Sequence, residues 1–230
     1  MTGFEPLRSQ APVEMGAAID SILIRSSSDM KLYYSPGVCS LASHIVLRES
    51  RLPFTPVRVD LKTHALEDGS DYCAINPRGY VPLLELDDGQ RMSEGPIIMQ
   101  YVADQVPDKK LAPAAGTMER YRLMEWLAFI NSEVHKNFGP LFNAEMPAEV
   151  KDYHRKRVLS RFQWLEQQLE GKRFVMGDGF SVADAYLFVV AGWGKYVDVD
   201  LSGFKNLQSM LGRVSIRPAV QEALKVEGLA

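Results

Sequence analysis

The chain has 230 residues, 46% of them hydrophobic and 24% charged, and a formal net charge of −3. That length suits two modest domains or one large one, and the charge balance offers no electrostatic basis for binding nucleic acid or an anionic membrane. Two cysteines, Cys39 and Cys73, exclude a disulfide scaffold and suit a reducing cytoplasm, and no apolar run is long enough to cross a bilayer. A cytoplasmic enzyme is the default class.

Residues 1–29 mix Pro, Ser, Gly and isolated charges and end in Ser26-Ser27-Ser28-Asp29, which reads as a disordered extension. Its apolar stretch Ile19–Ile24 is interrupted by Asp20 and Ser21 and makes a poor secretory core. From Met30 onward, strand and helix patterns alternate. A strand over about Lys31–Tyr34 leads through Ser35-Pro36-Gly37-Val38 to Cys39, where a helix opens over about Ser40–Glu49. A second strand spans Phe54–Val59, and Leu66–Ile75 reads as a short helix closed by Asn76-Pro77-Arg78-Gly79. Val81–Leu86 and the residues from Arg91 form a hairpin around Asp87-Asp88-Gly89-Gln90. Gly95-Pro96 then starts a helix, since proline suits the first turn. The order βαβαββα over residues 30–106 describes a small thioredoxin-like α/β domain.

Residues 107–117 read as a linker rich in Pro, Ala and Gly, and 118–230 as an all-α domain. Leu123, Leu127, Ile130 and Val134 fall at i, i+4, i+7 and i+11, one stripe of a long helix. Val158, Phe162, Leu165 and Leu169 repeat the pattern in the next helix, ended by Gly171. Ser181 and Asp184 have the spacing of a reciprocal cap before the apolar run Ala185–Val190, which places that helix in the domain core.

Cys39 is the most informative residue. At a helix start its thiol meets unpaired N–H groups and the positive end of the helix dipole, a setting that favours thiolate. The competing reading is a buried, inert cysteine. Cys73, inside the second helical pattern, reads as structural.

Five segments in order carry a resemblance: 31–40 around Cys39, Asn76–Pro82, Glu94-Gly95 with Ile98–Tyr101, Ser132–Lys136, and Phe180–Phe188. Over about 200 of the 230 residues the chain resembles bacterial glutathione S-transferases of the beta class. The resemblance implies the cytosolic glutathione transferase fold, a homodimer, no metal, and glutathione as co-substrate for conjugation to electrophilic xenobiotics. It also implies a cis Val81-Pro82 bond, which local sequence alone would leave trans, with the Val81 backbone pairing the cysteinyl backbone of glutathione. Glu94 and the Gly95 N–H would then hold the γ-glutamyl group at a helix N-terminus. On local sequence Glu94 is equally a carboxylate complementing the dipole. His135 and Lys136, a solvated surface pair on sequence alone, are implied to face the cleft, His135 in proton transfer and Lys136 drawing glutathione's carboxylates.

Three departures from the family pattern stand out: His64 where relatives often carry a Lys for the glycyl carboxylate, Ala128 in place of an Asn, and the 29-residue extension, which has no counterpart; Gly95 also lacks the hydroxyl of the Ser that many relatives carry. Tyr34 and Trp193 are candidates for the electrophile pocket, with core packing as the alternative for both. Cys39 adds a second chemistry, a mixed disulfide with glutathione, and with it thiol-disulfide exchange, peroxide reduction or reductive dehalogenation. A non-catalytic glutathione-binding protein is the third reading. The Cys39-Ser40-Leu41-Ala42 run lacks a second cysteine, so no internal disulfide forms there.

Overall fold

A computed structural model describes residues 30–230; the extension expected at 1–29 lies outside the described residues. The first strand, β1 (Lys31–Tyr34), is buried along most of its length because it sits in the middle of a five-stranded sheet, whose order is β3 (Ala65–Leu66), β2 (Thr55–Asp60), β1, β4 (Leu83–Glu85), β5 (Arg91–Ser93). It pairs in parallel with β2 (Thr55–Asp60), Lys31 facing Thr55, and antiparallel with β4 (Leu83–Glu85), Leu32 facing Leu84. The hairpin signal at 87–90 is met by β4 and β5 (Arg91–Ser93) in antiparallel register. A parallel pair needs a crossover. Here it is α1 (Ser40–Ser50), buried from Ser40 to Leu47 because it packs between the sheet and helices from the rest of the chain.

The helix expected over Leu66–Ile75 does not form. In its place stand a two-residue strand, β3 (Ala65–Leu66), and a single 3-10 turn over Tyr72–Ala74. The reason is local: Gly69 takes φ 83°, and the Asp68 carboxylate caps the Ser70 N–H at 2.9 Å, closing a turn where a helix would have to run. Asp71 then accepts the Cys73 N–H at 2.8 Å and starts the 3-10 turn. Helix α2 (Gly95–Gln105) completes this half, with Pro96 in its first turn.

Between α2 and the next helix the chain is not slack. The buried Leu111 gives its carbonyl to the Val182 N–H at 2.9 Å, and Arg120 binds both the Pro113 carbonyl and Asp104. The expected stripe Leu123, Leu127, Ile130 and Val134 is buried throughout, yet the helix carrying it changes winding. It runs as α3 (Met118–Phe129), a π-helical segment (Ile130–His135) and α4 (Lys136–Phe142). After α5 (Ala148–Gln168), with Gly171 beyond its end at φ 69°, comes α6 (Val182–Gly192) at the centre of the core. Asp184 accepts the N–H and hydroxyl of Ser181 and the Val175 N–H, all at 2.7–2.8 Å, which fixes the start of α6. Helices α7 (Lys205–Ser215) and α8 (Pro218–Val226) close the fold, α8 returning to pack on α1. No helix among the described residues is long and apolar enough to cross a membrane.

Candidate active site

The loop after β1 is held from both sides by the helical half. Gly37, at φ 72°, donates its N–H to Glu227 at 2.9 Å, and its carbonyl accepts Trp193 Nε1–H at 2.9 Å. The other oxygen of Glu227 meets His44 Nδ1 at 2.8 Å, with both side chains fully buried. Within the loop, Ser40 Oγ lies 3.2 Å from both the N–H and the carbonyl of Ser35. These bonds set the position of Cys39, the residue immediately before α1.

Cys39 is half-buried, and its Sγ lies 3.4 Å from the Val81 carbonyl oxygen. The thiolate-favouring features expected from sequence are present: the N–H groups of Cys39 and Ser40 and the charge of Lys136 all lower its pKa. Burial outweighs them and, with Glu94 acting in the same direction, pushes the thiol up to about 11. The expectation of a resting thiolate is therefore corrected: removal from water costs the anion more than the helix start returns.

The Val81-Pro82 bond is cis, as the resemblance implies, and both residues are buried. The preceding Tyr80 carbonyl is clamped by the Tyr72 hydroxyl and Asn76 Nδ2, each at 2.8 Å. Glu94 precedes α2 at φ 70°, a left-handed conformation that costs a side-chain-bearing residue on the order of 1–3 kcal/mol. Its exposed carboxylate pairs with Arg78 at 3.5 Å, and Arg78 also binds Ser93 Oγ. At Gly95 a Cβ would meet Pro82 Cγ at 3.6 Å and Ser43 Oγ at 3.7 Å, ordinary contact distances, so the serine of relatives would fit.

His135 ends the π-helical segment. Its Nδ1 lies 2.7 Å from the Tyr186 hydroxyl, which lies 2.9 Å from Asn131 Oδ1, and its ring packs edge-on against Trp193. Burial, then the neighbouring Lys136 charge, bring His135 down to about 4, so it is neutral at neutral pH. Lys136 itself is exposed. The Tyr186 hydroxyl is pushed far up by burial and further by Cys39 and Glu94, which places these three in one electrostatic neighbourhood.

Of the other candidates, Trp193 borders the site and Tyr34 and His64 pack elsewhere. Tyr34 is a core residue with its ring 5.5 Å from His44. Trp193 lines a largely apolar cavity of about 760 Å³ with Gly37, Leu201, Leu211, Leu224 and Leu229; neither Tyr34 nor Cys39 belongs to its lining. His64, at φ 55°, packs against Gly79, where a Cβ would come within 2.7 Å of the imidazole, and its buried Nδ1 makes no hydrogen bond. Among the described residues no cluster of three or more His, Cys, Asp or Glu is arranged to hold a metal ion. Sequence reasoning missed the roles of Glu227, His44, Arg78, Asn131 and Tyr186. Only Arg78 and Tyr186 carried a signal, as parts of the Asn76–Pro82 and Phe180–Phe188 segments.

A thioredoxin-like sheet with a cis-proline beside a helix-start cysteine, closed by helices, defines the class of proteins that join a thioredoxin-like half to an all-α one. The family model for the glutathione S-transferase N-terminal domain matches residues 38–105, and that for the C-terminal domain residues 129–218. The chain is similar to glutathione S-transferase GstA of Escherichia coli O157:H7, 46% identical over 200 residues that span 87% of this chain and all of that protein. It is similar also to the beta-class glutathione S-transferase of Sphingomonas chungbukensis, at 48% identity and TM-score 0.84, with 87% of this chain and 100% of that one covered. A sphingomonad glutathione S-transferase solved with glutathione matches at 46% identity, TM-score 0.84 and the same coverage. The chain belongs to the glutathione S-transferase family.

Proposed function

We propose that this protein is a beta-class glutathione transferase that conjugates glutathione to electrophilic small molecules. The observation that carries the reading is the meeting of Cys39 Sγ with the Val81 carbonyl beside the cis-proline, next to the Glu94-Gly95 start of α2. An extended peptide laid along Val81 would pair with its backbone. The γ-glutamyl carboxylate would reach the Gly95 N–H at the start of α2, where Pro96 has no N–H and those of Ile97 and Ile98 are taken by the Glu94 carbonyl, and Glu94 would take the α-ammonium. The peptide's thiol would then lie beside Cys39. His135, neutral and accepting, takes the proton of that thiol, and the resulting thiolate attacks the electrophile. Lys136 draws the carboxylates inward. The test is the initial rate with glutathione and chlorodinitrobenzene: a saturable rate above the uncatalysed one is expected, and its absence sinks the conjugation reading.

A second reading, reduction through Cys39, rests on a thiol standing where glutathione's sulfur would arrive. The Cys39 thiolate, its proton lost to solvent, attacks a glutathione mixed disulfide, breaking that S–S bond and forming its own. A second glutathione thiolate then releases Cys39, and the displaced thiol takes up the proton. Replacement Cys39→Ala separates the readings, since exchange should collapse while conjugation persists. We place the protein in the cytoplasm as a homodimer, dividing at residues 107–117 into the two domains. The exposed apolar side chains Ile97 on α2 and Tyr121 and Met124 on α3 support a partner surface; a sedimentation mass of one chain would refute it.

A further inference from the structure

The Tyr186 hydroxyl has one proton and stands between two partners. Asn131 Oδ1, at 2.9 Å, can only accept, so the tyrosine proton goes there. The 2.7 Å contact with His135 Nδ1 must then run the other way, with Nδ1–H donating to the tyrosine oxygen. A neutral imidazole with its proton on Nδ1 carries a bare lone pair on Nε2, which points away from Tyr186. Among the described residues Nε2 of His135 makes no hydrogen bond. We propose that Tyr186, backed by Asn131, is a positioning residue that holds His135 as the Nδ1–H tautomer, leaving Nε2 as the proton acceptor of the site.

Backbone winding makes the arrangement reachable. The Lys136 N–H bonds the Asn131 carbonyl five residues back, the signature of the π segment, and that wider turn carries both Asn131 and His135 to the same hydroxyl on α6. The imidazole is also packed by two aromatic rings, with the Trp193 centroid 4.9 Å and the Tyr186 centroid 5.9 Å away, both steeply tilted to it. An Nε2–H tautomer would instead place two acceptors, Nδ1 and the asparagine oxygen, around a hydroxyl that can satisfy only one of them, leaving a partly buried acceptor without that bond.

The inference rests on the proposed role of His135 as proton acceptor, and its test separates the two. Long-range ¹H–¹⁵N correlation spectra of protein labelled at histidine nitrogens report each ring's tautomer, and the His135 signals are assigned by their loss in His135→Asn. The native protein should show His135 protonated at Nδ1 and bare at Nε2, with no variant needed for this reading. Tyr186→Phe, which keeps the ring and its packing, should give a mixed tautomer. An Nε2–H form in the native protein, or an unchanged tautomer in Tyr186→Phe, overturns the inference. Turnover addresses the other reading: Tyr186→Phe should lower kcat by about tenfold or more with the KM for glutathione little changed. Full kcat in a variant whose tautomer has mixed would leave the positioning intact and overturn the acceptor role of His135.

Discussion

Single residues here are governed by burial more than by their sequence neighbours. Cys39 has the helix start that normally activates a thiol, and still titrates near 11, because desolvation is the largest influence on it. Iodoacetamide should therefore alkylate Cys39 slowly at pH 7, with a rate that climbs through pH 9 and beyond; a plateau already reached by pH 7 would contradict this. His135 shows the opposite sign. Its native pKa of about 4 lies below the ordinary 6.5, so between those values the unfolded chain binds a proton that the native chain refuses. Its share of stability is complete above pH 6.5 and is lost as pH falls through 4. Asp184, raised to about 6 by burial, acts with the opposite sign in this window, so the test is a difference: from pH 7 to pH 5 the native urea midpoint should fall relative to that of His135→Phe. Motif positions made Cys39 and His135 legible in the sequence. Their protonation was not, because it depends on what long-range packing removes from water.

At the scale of elements, periodicity served well where one face meets a core. The stripes on α3 and α5 and the cap before α6 are all as the spacing predicts. It failed where a few polar side chains outbid a weak helical pattern, as in the turn at Asp68-Gly69-Ser70. It was silent on the π segment, since an apolar stripe at i, i+4, i+7 looks alike whether or not the backbone widens beneath it. The start of α6 gives the sharpest test. Asp184→Ala strands three donors, two of them backbone N–H groups, in a buried site. At about 1–3 kcal/mol for each buried group left unpaired, the loss should be about 3 kcal/mol or more, read from chemical denaturation. A loss below about 1 kcal/mol would mean that water enters and replaces the carboxylate.

Across the whole molecule, the two halves meet at the loop before Cys39, and sequence gave no hint of it. Glu227 looks like any surface carboxylate near a helix end, yet it is buried and holds both Gly37 and His44. Partners so distant in sequence are visible only once the chain is folded. Glu227→Gln keeps the shape but offers an N–H where one partner needs an acceptor. It should cost about 1–3 kcal/mol and reduce conjugation more than its stability loss explains, measured as kcat well below the midpoint of unfolding. Retained kcat with lowered stability would show the clamp to be a staple for the fold alone.

The Glu227 contact also sets a timetable. It joins residues separated by 190 positions in the chain, so a ribosome finishes the entire thioredoxin-like half long before that carboxylate exists. At cellular elongation rates the stretch from the end of the sheet at Ser93 to Glu227 takes on the order of seven to thirty seconds. For that interval a nascent chain can display the cis-proline edge and the sheet, but its cysteine loop is unfastened. A translation stop anywhere ahead of residue 227 leaves the thiol in that unfinished state, so competence at Cys39 is conferred late, by the arrival of α8.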